Sequence, residues 1–250
     1  MFNYQKLLRG KLKHHNYIQQ SSFYRFIIDD LLDRLEPIDK IFKNILLIGD
    51  GHDYLESLLT SRSNLHNLAK CSINSALDFN SNQFDLIIFP FGLHWVNDVQ
   101  GFLTKVNFIL KTDGIFIGNF AGGGTLSNLR RLLLDLEACN ANIHRPHISP
   151  FIQFQHMTPL FAGAGFAENI VDFEIIELEY KTPLLLMKEI QNIGESNCLE
   201  ESIVYSITKI MYENLKNKSQ EPFSDQLNMV SFVSSQQKHS VALKSKYFQK

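Results

Sequence analysis

The sequence predicts an α/β domain built on a mostly parallel sheet with helices on both faces, and three stretches carry that prediction. Phe84-Asp-Leu-Ile-Ile-Phe89 is apolar but for Asp85 and is bounded by Pro90 and Gly92. Such a run reads as a strand buried on both faces, as parallel sheets require. Asn44-Ile-Leu-Leu-Ile-Gly49 is a second run of the same kind. Third, the amphipathic stretch Val99 to Leu110 is stopped by Lys111-Thr-Asp-Gly114, and Ile115-Phe-Ile117 opens another strand. Strand, helix and strand with short joints form a right-handed crossover. Ligands in such sheets bind beyond the carboxyl ends of the strands. Phe89 to Trp95 is therefore expected at the rim of a pocket, with Phe89 on its wall and His94 and Trp95 as candidate catalytic residues.

The bulk numbers exclude several classes. The chain has 250 residues, 44% hydrophobic and 20% charged, so a sizeable core is expected. A net charge of -2 gives no reason to expect nucleic acid. Nine histidines show no metal-ligand rhythm. Cys71, Cys139 and Cys198 lie far apart, which suits neither a zinc pair nor a disulfide framework. Unclustered thiols fit a reducing compartment, and a cytoplasmic location is expected. No long apolar run suggests a membrane span. The basic N-terminus lacks the apolar stretch of a secretory signal.

Taken in order, Phe23 to Leu35 has apolar residues at helical spacing and is ended by Pro37. Residues 1–40 are read as an N-terminal helical segment. After the 44–49 strand, Gly49-Asp-Gly-His-Asp53 forms a glycine turn and Tyr54 to Leu59 begins a helix. Glycines let backbone approach a nucleotide-type cofactor, whose anionic groups favour a helix N-terminus. A plain tight turn fits the same residues. Only 35 residue steps separate Gly49 from Phe84. One crossover with its strands takes roughly 30 or more, so the second and third strand region is expected to be shortened. Leu65 to Ile73 offers one weak strand, with no acid at its end to grip a ribose hydroxyl.

Further on, Gly122-Gly-Gly-Thr125 leads into a helix from Leu126 to Ala138, with Thr125 as the expected N-cap. The three glycines suit either a flexible turn or a carboxylate or phosphate site. Arg130 and Arg131 suit either an exposed face or an acidic substrate. Asn140 to Pro159 reads as a long loop holding His147 and His156 as possible acid–base groups. A short helix at 157–164, a strand at 170–180, helices at 184–190 and 199–215, and a strand at 227–233 complete the expectation. The domain proper is read as 41–235, with 236–250 a frayed tail.

With these segments assigned, Leu93-His-Trp-Val-Asn-Asp98, Leu110-Lys-Thr-Asp-Gly-Ile-Phe-Ile-Gly118, Ile148-Ser-Pro-Phe151 and Gly194-Glu-Ser-Asn197 become recognisable. On them the chain resembles class I S-adenosylmethionine methyltransferases of the type 11 group. It looks most like the branch of complex I assembly-factor methyltransferase-like proteins, with the biotin-synthesis malonyl-acyl-carrier-protein methyltransferase a more distant cousin. The resemblance implies a Rossmann-like, seven-stranded sheet, S-adenosylmethionine as cofactor, and cofactor contacts at Gly49, Gly51, Asn74 and Phe89. It departs from the family pattern in four places. Leu47 stands where an acid usually precedes the first glycine, Asp53 replaces the last glycine of the turn, the second-strand acid has no counterpart, and the acid before strand four is replaced near Asn74. The resemblance implies a methyltransferase of unknown acceptor. The alternative is a degenerate or hydroxylating assembly factor that binds a respiratory complex I subunit.

Overall fold

The computed structural model describes residues 1–49, 52–61, 67–73, 78–138, 146–200, 207–217 and 222–237. Among them are nine α-helices: α1 (Tyr4–Lys13), α2 (His15–Gln20), α3 (Ser22–Leu35), α4 (Asp53–Ser61), α5 (Val99–Ile109), α6 (Ser127–Ala138), α7 (Met157–Gly163), α8 (Pro183–Asn192) and α9 (Lys209–Asn217). The strands are β1 (Asn44–Ile48), β2 (Asn67–Cys71), β3 (Phe84–Phe89), β4 (Leu110–Ala121), β5 (Glu168–Tyr180) and β6 (Phe223–Ser235). They form one sheet in the order β2-β1-β3-β4-β6-β5. β1 pairs in parallel with β2 and β3, and β3 in parallel with β4. The expected α/β class and parallel core are present. Six strands stand among the described residues where the resemblance implies seven. No described helix is long and apolar enough to cross a membrane.

By its contacts the chain divides into two units. The second comprises residues 22–120, 156–172 and 231–250. Its sheet core is apolar in sequence because both faces are covered: all six β3 residues are buried. Asp85, the one charge in that strand, accepts from the Asn44 backbone N–H at 2.9 Å and from Lys111 Nζ at 2.9 Å. A buried carboxylate persists only when so paired. β4 begins at Leu110, ahead of the expected Ile115. Leu110 turns extended at the α5 end, and its side chain stays buried. The polar residues after it are absorbed by a register shift, Phe84 pairing with Leu110 but Leu86 with Ile115. Phe116, Phe161, Phe166 and Phe232 pack ring on ring, with Phe116 and Phe232 centroids 4.8 Å apart. Gly118 makes room for them, since a Cβ there would lie 2.6 Å from both the Phe232 ring and the Phe89 carbonyl.

The first unit comprises residues 1–21, 121–155 and 173–230. Its core gathers Leu126, Leu129, Leu133 and Leu136 with Ile148, Leu186, Met211 and Leu215. Thr125 is not the cap of α6. Its hydroxyl donates to the Gly122 carbonyl at 2.7 Å, and helix begins only at Ser127. The orphan N–H groups of Asn128 and Leu129 instead reach the Asp225 carboxylate at 3.2 and 2.7 Å. The expected helix from Leu199 is also revised. Leu199 bridges to Phe2 and α9 starts at Lys209, while residues 201–206 of that expectation lie outside the described residues. The expected helix at 184–190 is present as α8, capped by the Thr182 side chain with Pro183 in the first turn.

Candidate functional site

β1 delivers the chain to Gly49, whose φ of +110° only glycine adopts readily. The Gly49 N–H donates to the Cys71 carbonyl at 2.8 Å, tying the turn to the end of β2. Asp50 and Gly51 lie outside the described residues, and the chain re-emerges at His52 to start α4. Around this turn is a cavity of about 270 Å³ lined by Leu47, Gly49, His52, Asp53, Glu56, Lys70, Cys71 and Ser72. It sits beyond the carboxyl ends of β1 and β2, where ligands of such sheets bind. Two carboxylates and one ammonium face it beside the N-terminus of α4, a region of positive partial charge.

Gly49 is needed for close approach as well as for its φ. A Cβ there would fall 2.5 Å from His52 Nε2. In this structure the group lying over Gly49 is thus the chain's own imidazole. The Tyr24 hydroxyl hydrogen-bonds His52 Nδ1, and the two rings stack with centroids 5.8 Å apart. The turn fits a nucleotide-type cofactor in its glycine, helix N-terminus and polar lining. The His52 ring must share or yield the ground above Gly49.

The carboxyl end of β3 carries the other candidates. Phe89 is fully buried; its ring packs against Phe102 at 5.1 Å and under Gly92, where a Cβ would meet it at 2.1 Å. Phe91 holds a left-handed backbone, φ +41°, costly for a bulky residue. Its N–H is anchored to Asn119 Oδ1 at 3.0 Å, and Asn119 Nδ2 donates to the Ile27 carbonyl at 2.9 Å. His94 and Trp95 follow in a 3-10 turn, 3% and 2% exposed. Their rings continue a stack that runs Phe23, Phe91, His94, Trp95 with successive centroids 4.9–5.6 Å apart. Asn74 lies outside the described residues.

Other sequence candidates take structural work. The Gly122 and Gly123 N–H groups are spent on the carbonyls of Asn228 and Ile152, at 2.7 and 2.8 Å. The Arg130 guanidinium donates to the Ile148 and Ser149 carbonyls. His147 pairs with Glu137 at 2.8 Å. His156 is exposed at the start of α7. Sequence reasoning missed His52, Tyr24, Glu56 and Lys70, whose meeting depends on strand order. Asn119 left a readable signal, a lone polar residue in the apolar run 115–121.

Residues 50–118 match the family model described as a methyltransferase domain. A Rickettsia prowazekii protein, RP459, carries a provisional methyltransferase name. It is 45% identical over 224 residues, which cover 83% of this chain and 99% of that one. The chain belongs to this methyltransferase family. Among its relatives is the human protein named arginine-hydroxylase NDUFAF5, mitochondrial, 32% identical over 188 residues, covering 67% of this chain and 54% of that one. The chain thus spans about half the length of that relative. A malonyl-[acyl-carrier protein] O-methyltransferase of Gallionella capsiferriformans is 25% identical over 130 residues, covering 52% of this chain and 43% of that one. In fold, this methyltransferase-family chain is similar to the YcgJ protein of Bacillus subtilis. That match has a TM-score of 0.51 at 14% identity and covers 86% of this chain and all of that one.

Proposed function

We propose that this methyltransferase-family chain binds S-adenosylmethionine in the cavity at Gly49, within a domain spanning residues 41–235, and acts on a protein side chain. The observation that carries the reading is the cavity itself: a left-handed glycine, a helix N-terminus and polar groups beyond β1 and β2. Gly49 would let the backbone approach the cofactor; Gly51 and Asn74, the further contacts that the resemblance implies, lie outside the described residues. The cofactor supplies an electrophilic methyl group when bound. The chain's own contribution is positioning and exclusion of water, which transfer to an aligned acceptor mainly requires. Phe89, buried under Gly92 and not part of the cavity lining, would hold the β3 turn in place. His94 and Trp95, locked in their ring stack, would line the acceptor side, with His94 placed to orient the acceptor rather than to roam as a free base. The human relative, named an arginine-hydroxylase, supports arginine as the class of side chain acted on, through a different chemistry.

A second reading is a scaffold that grips a respiratory complex I subunit without using the cofactor, or modifies that subunit by another chemistry. It is favoured by the His52 imidazole over Gly49 and by Leu47 in an acid's place. Calorimetric titration of the full chain with S-adenosylmethionine separates the two. Micromolar binding is expected; silence up to millimolar ligand would leave the scaffold, to be pursued by capture of a complex I subunit.

A further inference from the structure

β2 ends at Cys71 and is followed by Ser72 and Ile73, so it offers no carboxylate to a bound nucleoside. The cavity nevertheless contains one that is held in place. Glu56, in the first turn of α4, presents both carboxylate oxygens to Lys70 Nζ, at 3.0 and 2.9 Å. Lys70 sits on β2 in register with Leu47 of β1, the position where the resemblance expects an acid. The pair therefore brings a negative group from the helix to the strand ends that lack one. Asp53, the other carboxylate of the lining, shares that first turn but is exposed. Glu56 is less exposed, its side chain 32% accessible.

As a plain surface ion pair, Glu56–Lys70 contributes little to stability. Its geometry matters in another way. A carboxylate fixed by one cation retains unused lone pairs on both oxygens. A ribose hydroxyl can donate to one of these lone pairs, through a charge-assisted hydrogen bond stronger than a neutral one. We propose that Glu56, oriented by Lys70, is the group that recognises the ribose hydroxyls of the cofactor, in place of the missing β2 acid. This rests on the S-adenosylmethionine reading above.

The test is calorimetry on the full chain with S-adenosylhomocysteine and with its 2′,3′-dideoxy analogue, for the wild type, Glu56→Gln and Lys70→Met. Glu56→Gln preserves shape on a half-exposed helix face, and an unchanged melting curve establishes its folding. The expected result is a loss of about tenfold or more in affinity for S-adenosylhomocysteine in Glu56→Gln, the scale of a lost hydrogen bond to a charged group. The analogue should bind wild type and variant alike. Lys70→Met should weaken only the hydroxylated ligand, and less severely. Wild-type binding with equal affinity for both ligands overturns the assignment and leaves the cofactor reading intact. So does an equal loss for both ligands in Glu56→Gln. A wild type that binds neither ligand overturns the assignment and the cofactor reading together.

Discussion

The Ser149 hydroxyl donates to Asn197 Oδ1 at 3.2 Å, joining the Ser-Pro-Phe and Gly-Glu-Ser-Asn stretches, the two most distinctive after the β3 turn. Asn197 also gives its amide to the Pro146 carbonyl at 2.7 Å and accepts from the Leu199 N–H at 3.0 Å. Beside it, Gly194 adopts φ +73° against the α1 backbone, and Glu195 pairs with Lys11 at 3.1 Å. Both stretches thus build one joint in the first unit.

That joint gives the first prediction. Asn197→Ala strips partners from Ser149 and from the Pro146 carbonyl. Urea unfolding should show a loss of about 1–3 kcal/mol, the net worth of the three side-chain hydrogen bonds removed. Ser149→Ala should cost clearly less, since it removes one donor and leaves the Pro146 bond.

Asp85 sets an acid limit. Burial alone would raise its carboxyl. The Lys111 hydrogen bond, the Asn44 N–H and the charges of Lys111 and Lys40 outweigh burial and hold it below the usual carboxylate range. A depressed folded value means the contribution is present above the unfolded pKa, about 3.9, and is lost as pH falls through the lower folded value. Asp85→Asn should destabilise the protein by about 1–3 kcal/mol near neutrality. In acid titrations followed by circular dichroism, its stability should fall less steeply than that of wild type below about pH 4.

The α6 cap is tested at Asp225, which is 4% exposed. Asp225→Ala leaves the Asn128 and Leu129 N–H groups without their carboxylate and should cost about 1–2 kcal/mol. Thr125→Ala, at the position that looked like the cap, should leave α6 amide exchange nearly unchanged.

Gly49→Ala places a Cβ against His52 and forces a left-handed alanine. A loss of about 1–3 kcal/mol is expected in thermal melts. Adding His52→Ala should relieve the steric part and leave the backbone strain.

The thiols should differ sharply. Burial, reinforced by the Glu195 charge, pushes Cys198 up to about 12, so almost no thiolate exists at pH 8. Cys71 is half-buried and lines the cavity. Iodoacetamide followed by peptide mapping should modify Cys71 in the native protein and Cys198 only after unfolding. Saturating S-adenosylmethionine should slow the Cys71 reaction.

Local pattern was enough for much of the fold. The runs at 44–48 and 84–89 could only be doubly buried strands. Asp98 ahead of α5 and Thr182-Pro183 ahead of α8 are capping signals confined to neighbouring residues. The glycine turn and the missing second-strand acid were equally legible, because each is a matter of which residue stands where. Three dimensions decided the partners. Glu56 and Lys70 are 14 residues apart, Asn197 and Ser149 48, and Leu129 and Asp225 96. A side chain's hydrogen-bonding capacity is written in its residue type. Which group satisfies it depends on strand order and helix docking, which bring distant residues into hydrogen-bonding distance only after the core has closed.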